Sequence, residues 1–251
     1  MSTLPKKELL TIGITDPSII GLKEFLSSSG FMDSTSDANN TFDEATRDAL
    51  IEFQKSRSIP PTGLIDRPTL DELWVPTCEY SSRSLAEAKG IGFRWKRQNI
   101  PLTWTIREPD PKVPFTSDAL KFGFAQWKKS TPFPMDFAMS TGTGLADINI
   151  YFDAIPNRRP SEVAATFPPK VGEQPAVMKV ICQRDVNWTS DPNKPQFEAT
   201  DLYAVITHEI GHCLGLDHSA DPNALMFAKV RNGERDIKPD DILGITNLYK
   251  D

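Results

Sequence analysis

Apolar positions recur at helical spacing in the first part of the chain. The segments IIGLKEFL and FDEATRDALIEFQKSRSI place apolar side chains three and four residues apart, the spacing of one helix face. Thr41 and Glu44 form a capping-box pattern in the second segment, which predicts a helix start there. A break rich in proline and glycine follows, and RPTLDELW predicts a short third helix. We therefore expect a small three-helix domain at the N-terminal end.

The pattern changes after a polar stretch over 79–93, which predicts a linker. LTWTI, ADINIYF and AVMKVICQ predict strands, and SDALKFGFAQWKKS predicts an amphipathic helix that carries Leu120, Phe124 and Trp127. Two further helices are expected over 201–214 and 239–249. The predicted fold class is α+β, with helical domain 1–78, linker 79–93, and a second domain over 94–251 built on a mixed sheet.

Composition excludes several classes of protein. The 251 residues are 39% hydrophobic and 25% charged, as in ordinary globular proteins, and the net charge of −6 offers no positive field for nucleic acid or an anionic membrane. No window has the length of a membrane span, and the first residues contain no apolar run of signal-peptide length. Three cysteines, Cys78, Cys182 and Cys213, are odd in number and far apart, so a disulfide framework is not expected.

The three histidines of the chain all lie in one segment, HEIGHCLGLDH. His208 and His212 are four residues apart, so on a helix both imidazoles leave the same face and can reach one ion. Gly215 permits a left-handed turn that brings His218 back as a third ligand. Three neutral imidazoles are a typical ligand set for a catalytic zinc, with the fourth position left for water.

Glu209 follows the first histidine and is placed to take a proton from that water, because it does not itself bind the ion. This indicates hydrolysis of peptide bonds, with Glu209 as general base. The alternatives are a structural three-histidine zinc site and histidines with no metal, and a glutamate at this position would have no role in either.

The segment HEIGHCLGLDHS followed by DPNALM resembles the signature of the matrixins, the matrix metalloproteinase branch of the metzincins. This resemblance implies that Met226 is the Met-turn methionine. RWKRQNIPLTWTI, TGLADINIYF, AATFPP and KPDDILGITNLY are similar to the opening strand, central strand, substrate-edge segment and closing helix of matrixin catalytic domains. It also implies a mostly parallel, twisted sheet and a long active-site helix. The N-terminal helices resemble the peptidoglycan-binding-like fold that serves matrixins as a prodomain.

The sequence departs from the matrixin pattern at the positions of the additional ions. Ala165 and Ile181 stand where the family usually has histidine ligands of a second, structural zinc, so we expect that zinc to be missing. The acidic cluster that follows is thinned to Asp185, which leaves calcium binding open because a hard cation needs several oxygen ligands.

Cys78 lies where matrixin prodomains carry an inhibitory thiolate that caps the zinc. The usual Pro-Arg-Cys-Gly pattern is replaced by Pro76, Thr77, Cys78 and Glu79. The missing arginine and the added negative charge predict a weak hold on the zinc. Cys78 as a simple linker thiol is the alternative interpretation.

The resemblance therefore implies a zinc metalloendopeptidase made as a latent proenzyme, with protein or peptide substrates. Resemblance also implies an extracellular location, and we expect a monomer with one catalytic zinc. The alternative is a cell-wall-binding protein, or a peptidase that the helical domain directs to cell-wall polysaccharide.

Overall fold

The computed structural model describes residues 4–9, 12–33, 39–80, 93–131, 134–156, 161–169 and 177–250. The helices are α1 (Ser18–Ser28), α2 (Glu44–Ser56), α3 (Arg67–Leu73), α4 (Thr116–Ser130), α5 (Leu202–Cys213) and α6 (Pro239–Leu248). The strands are β1 (Thr77–Tyr80), β2 (Leu102–Glu108), β3 (Phe137–Met139), β4 (Ile148–Asp153), β5 (Glu162–Phe167), β6 (Met178–Gln183), β7 (Trp188–Thr189) and β8 (Thr200–Asp201). None of the described helices is long and apolar enough to span a membrane.

The chain divides into two compact units. The helical unit comprises Met1–Val75 with Pro195–Glu198, and the sheet unit comprises Pro76–Lys194 with Ala199–Asp251. The domain boundary expected at residue 78 therefore differs from this division, because β1 pairs with a strand of the sheet unit. Residues 79 and 80 of the expected linker belong to β1, and residues 81–92 lie outside the described residues.

The helical unit contains the three expected helices, packed through the apolar faces of α1, α2 and α3. Phe53 of α2 is fully buried, and its ring makes edge contacts with Phe25 and Phe31. The expected capping box is wrong in detail. Asp43 caps α2 by accepting the Thr46 backbone N–H at 2.8 Å, whereas Thr41 forms an isolated antiparallel bridge with Thr15 and is held outside the helix.

The sheet unit is built on a six-stranded sheet in the order β1-β5-β6-β4-β2-β3. Only the β5–β6 pair is antiparallel, so the expected mixed, mostly parallel sheet is confirmed. The core beside this sheet is formed by apolar side chains of the strands and of α4 and α5. Trp127 of α4 is fully buried and donates its indole N–H to the Thr207 carbonyl at 2.7 Å, which fixes α4 against α5. The position of α5 is therefore set by the core.

Candidate active site

Helix α5 carries His208, Glu209 and His212, and all three side chains are fully buried. The helix begins after Asp201, whose carboxylate accepts the backbone N–H groups of Tyr203 and Ala204 and so satisfies donors that the first turn leaves free. His218 lies beyond the end of α5 and is exposed.

Gly215 makes the expected turn between the helix and His218. Its φ is +99°, in the region that favours glycine, and a Cβ built on it would lie 1.8 Å from the Phe93 carbonyl oxygen. Any side chain at this position would therefore collide with backbone. This confirms the expected turn and gives a second, steric reason for glycine here.

Backbone carbonyls orient two of the imidazoles. His208 Nδ1 donates to the Leu225 carbonyl and His212 Nδ1 donates to the Leu216 carbonyl, each at 2.7 Å. Because a carbonyl oxygen only accepts, the proton of each neutral ring is on Nδ1 and the lone pair is on Nε2. The two Nε2 atoms face each other at 3.0 Å. This is the arrangement in which two imidazoles can share one ion.

The donor set fits zinc. One ligand atom from each of the three histidines lies within 4.8 Å of the others. Two nitrogens on a tetrahedral zinc lie about 3.3 Å apart, close to the His208–His212 distance. Burial lowers the pKa of His208 to about 3 and lowers that of His212 as well, so both rings are in the neutral form that binds metal.

The Glu209 carboxylate lies beside this cluster in the sheet unit. Burial raises its pKa to about 7, against the opposing effect of a hydrogen bond from Thr166. The Thr166 hydroxyl, on β5, donates to Glu209 Oε2 at 2.5 Å, while Oε1 has no hydrogen-bond partner among the described residues. A carboxylate with a pKa near neutrality and one oxygen available is suited to accept and return a proton.

Next to Glu209 a groove separates β5 from residues 228–230, and β1 lies in it. Thr77 N–H donates to the Ser161 carbonyl at 2.9 Å, and on the other side Val230 N–H donates to the Pro76 carbonyl at 3.1 Å. β1 runs parallel to β5, and Cys78 is the register partner of Ala164. Ligand atoms of Cys78, His208 and Glu209 lie within 4.8 Å of one another. The segment that was expected to close the helical domain therefore lies at the histidine cluster.

The matrixin family model matches residues 94–250, which is more than half of the chain. The chain belongs to the matrixin family. A peptidoglycan binding domain model matches residues 15–73, in the helical unit. Both resemblances inferred from the sequence are therefore confirmed.

Several relatives of this matrixin are known. Matrix metalloproteinase-16 of Rattus norvegicus is 29% identical over 233 residues, an alignment that covers 82% of this chain and 37% of that protein. Metalloendoproteinase 5-MMP of Arabidopsis thaliana is 26% identical over 254 residues, with 91% and 70% covered. Matrix metalloproteinase-19 of Homo sapiens is 30% identical over 250 residues, with 92% and 46% covered. The chain spans only 37% of the length of matrix metalloproteinase-16.

Met226 of this matrixin lies directly under α5. A Cβ built on Gly211 would lie 2.3 Å from its sulfur, so the methionine packs against the bare backbone of α5 between the two helical histidines. The carboxylate of Asp241 on α6 accepts the backbone N–H groups of Leu225 and Met226, each at 2.9 Å. A buried carboxylate of the last helix thus fixes the turn that carries Met226.

Apolar side chains occupy the two positions at which this sequence lacks the histidine ligands of the family's second zinc. Ala165 and Ile181 are register partners on β5 and β6, and with Ile155 they form a small buried cluster on which Phe167 packs. Close by, Gln183 accepts the Ile155 backbone N–H and donates to Asp185, at 2.8 and 2.7 Å. Side-chain packing and amide hydrogen bonds therefore hold this part of the sheet.

Sequence reasoning did not identify Thr166 or Asp241 as parts of this site. Thr166 lies inside the AATFPP segment, and its contact with Glu209 spans 43 residues of sequence. For Asp240 and Asp241 in KPDDILGITNLY, the resemblance to matrixins implied a contact with the N-terminus formed on activation, and a favourable interaction with the helix dipole was an equally good explanation. Neither interpretation predicted the contact of Asp241 with the turn that carries Met226. The two remaining cysteines, Cys182 on β6 and Cys213 on α5, are buried core thiols.

Proposed function

We propose that this matrixin is a zinc metalloendopeptidase in which His208, His212 and His218 bind one catalytic zinc and Glu209 is the general base. The observation that carries this proposal is the convergence of the imidazole nitrogens beside a buried carboxylate that does not belong to the ligand set. A bound zinc would lower the pKa of a water molecule and polarise the scissile carbonyl. Glu209 would serve as the group that takes a proton from the attacking water and returns it to the leaving amine.

The groove is the proposed binding site for the substrate. β5 and residues 228–230 offer backbone N–H and carbonyl groups on its two sides, as their hydrogen bonds to residues 76–78 demonstrate. An extended peptide is the ligand that such a pair of edges takes, through main-chain hydrogen bonds. This groove therefore supports protein or peptide substrates.

Replacing the base tests the catalytic assignment. We expect Glu209→Ala to reduce peptidase activity by at least about a hundredfold, the lower end of the effect of a general base, while zinc stays bound. Glu52→Ala, at an exposed position of α2, is the matched control and should leave activity unchanged. Both variants are compared in a Cys78→Ala background, in which no thiol can occupy the site, and activity of Glu209→Ala close to that of this background on a fluorogenic peptide would exclude the assigned role.

We further propose that the full-length chain is latent because β1 fills the groove. The Cys78 thiol is buried next to Glu209 and His208, where a thiolate could bind the zinc in place of water. Burial raises the pKa of this thiol well above its usual range, and the Glu209 carboxylate raises it further. Thr77 stands at the position of the usual arginine, and its hydroxyl lies 3.1 Å from the Ser161 hydroxyl. A hydrogen bond between two neutral groups is weaker than the ion pair of an arginine, so β1 should be held weakly.

A comparison of the full-length protein with Cys78→Ser tests latency. We expect higher activity for Cys78→Ser, and a gain of activity when a mercurial is added to the parent but none when it is added to the variant. Cys182→Ser is the matched control, since it removes a buried thiol from β6 rather than from the helix that carries the histidines. Equal activity of parent and Cys78→Ser, with no response to the mercurial, would leave Cys78 as a linker thiol.

We propose that the chain binds a single zinc, because the cluster of Ile155, Ala165 and Ile181 offers no ligand atoms at the position of the family's second zinc. Metal analysis of dialysed protein should give one zinc per chain. Two tightly held zinc ions would refute this. Calcium binding was left open near Asp185. The neighbouring Arg184 side chain already pairs there with the Glu108 carboxylate, at 3.3 Å.

A second candidate function rests on the peptidoglycan binding domain match over residues 15–73. On this proposal the helical unit binds cell-wall polysaccharide and brings the peptidase to it. Co-sedimentation with insoluble peptidoglycan tests it, with casein digestion measured in parallel. Absence of full-length protein from the pellet would reject the cell-wall role without affecting the peptidase. An extracellular location and a monomeric state stay predictions from the family resemblance.

A further inference from the structure

Thr166 lies on the strand that forms one side of the groove. Its register partners are Tyr80 on β1 and Val180 on β6, and its side chain is fully buried. Side chains alternate between the two faces of a strand. Ala165 and Phe167 belong to the apolar cluster on one face of β5, so Thr166 points to the opposite face, toward α5.

On that face the Thr166 hydroxyl lies beside two oxygen atoms of Glu209 and beside the Cys213 thiol. Its Oγ1 lies 2.5 Å from Glu209 Oε2 and 3.4 Å from the Glu209 backbone carbonyl. A hydroxyl has one proton to donate, and a charged carboxylate oxygen at the shorter distance is the stronger acceptor. Thr166 therefore holds one specific oxygen of the carboxylate.

The other carboxylate oxygen, Oε1, differs from Oε2 in its hydrogen bonding. Glu209 Oε1 is buried and has no hydrogen-bond partner by distance and angle among the residues that the structure describes, and the Cys78 thiol, which also interacts with this carboxylate, lies in the groove. Buried carboxylate oxygens are normally satisfied, so an oxygen of this kind calls for an explanation. A base needs one lone pair free for the proton that it takes, and a fixed carboxylate plane to aim that lone pair.

We infer that Thr166 is a positioning residue for the general base, which holds Glu209 by Oε2 and thereby aims Oε1 at the reacting water. This rests on the proposed function, in which Glu209 is the base. The Thr166 side chain is fully buried on the α5 side of the strand and acts through Glu209. Its loss would let the carboxylate rotate between rotamers in a pocket that no longer fixes it, which lowers the fraction of enzyme with the correct geometry.

A merely structural role for Thr166, such as tying β5 to α5, makes different predictions. Loss of a tie would loosen α5 and with it His208 and His212, so zinc affinity and stability would fall together with activity. Loss of positioning lowers kcat and leaves KM and zinc affinity unchanged, because only the transition state needs the aimed carboxylate.

The test uses full-length protein loaded with zinc, in a Cys78→Ala background. Alanine is used because a serine hydroxyl at position 78 could itself donate to Glu209. Thr166→Val removes the hydroxyl and keeps the shape of the side chain, and Thr166→Ser keeps the hydroxyl. Thr105→Val, at a buried position of β2 away from the groove, is the matched control for the chemical change.

We expect Thr166→Val to lower kcat about ten- to a hundredfold, the equivalent of one hydrogen bond to a charged group. KM and zinc affinity, measured by chelator competition, should match those of the background, and Thr166→Ser should restore most of kcat. An unchanged kcat for Thr166→Val overturns the inference, as does a parallel fall in zinc affinity. Glu209→Ala in the same background separates the two proposals, since full activity there would refute the base itself.

Discussion

The ion pair between Asp201 and Arg235 links the N-terminus of α5 to the chain segment that follows residues 228–230. The guanidinium donates to both carboxylate oxygens, from Nε at 2.8 Å and from Nη2 at 2.9 Å. Asp201 is fully buried, whereas the Arg235 side chain is 18% exposed. Replacing Arg235 by methionine keeps most of the side-chain volume and leaves a buried charge without its partner.

The cost of Arg235→Met follows from what remains around the carboxylate. Breaking a buried ion pair by removing one partner typically costs about 3–5 kcal/mol. Asp201 still accepts three backbone N–H groups in the variant, from Tyr203, Ala204 and Gly233, and this lowers the cost. The guanidinium also lies 4.4 Å from the centre of the Tyr203 ring, a contact that contributes about 0.5–1 kcal/mol. We expect the free energy of unfolding of the sheet unit to fall by about 3 kcal/mol in total.

Urea unfolding followed by tryptophan fluorescence measures this loss. The chain has five tryptophans, and all but Trp74 lie in the sheet unit, so the signal reports mainly on that unit. Arg184→Met is the matched control, because this arginine is 58% exposed and its ion pairs with Glu108 and Asp153 should be worth less than about 1 kcal/mol. A loss for Arg235→Met no larger than that of the control would refute the argument from burial.

Two other substitutions test specific contacts. Asp43→Ala should destabilise the helical unit by about 1 kcal/mol through the lost helix cap and by about 1–2 kcal/mol more because the buried Lys23, 2.6 Å from Asp43, loses its counter-charge. Asp66→Ala removes a similar cap from α3 together with a hydrogen bond from the neutral Thr62 hydroxyl, so it should cost less than Asp43→Ala, and equal losses in circular dichroism melts would contradict this. Gly211→Ala should lower both stability, by about 1–3 kcal/mol, and zinc affinity, because the new Cβ would collide with the Met226 sulfur. Gly144→Ala, where a Cβ meets nothing within 4 Å, should change neither quantity in thermal unfolding and chelator competition.

Signals that are local in sequence predicted α5 and the turn that follows it. The spacing of His208 and His212 sets them on one helix face, and Gly215 has the positive φ that the return to His218 requires. The α2 cap was misassigned by two residues, because Thr41 and Asp43 are both good capping residues and the choice depends on the bridge that Thr41 forms with Thr15.

Contacts that are distant in sequence could not be predicted in this way. The residues TCEY carry no strand pattern of their own, and β1 exists because β5 and residues 228–230 supply hydrogen bonds on its two sides. The same holds for Thr166, whose role depends on a contact that only the folded sheet creates. A single sequence contains the residues of such pairs but not the pairing.

The place of β1 at the end of the strand order has a consequence for handling the protein. A strand with one row of unpaired backbone groups is a template for any extended chain, including another copy of the same protein. While β1 is in place, that row on β5 is covered, and β1 is itself paired on its other side with residues 228–230. Removal of β1 exposes the unpaired backbone N–H and carbonyl groups along β5. The full-length chain should therefore tolerate high concentration, whereas the opened form should be prone to self-association and to retention of its own product peptides.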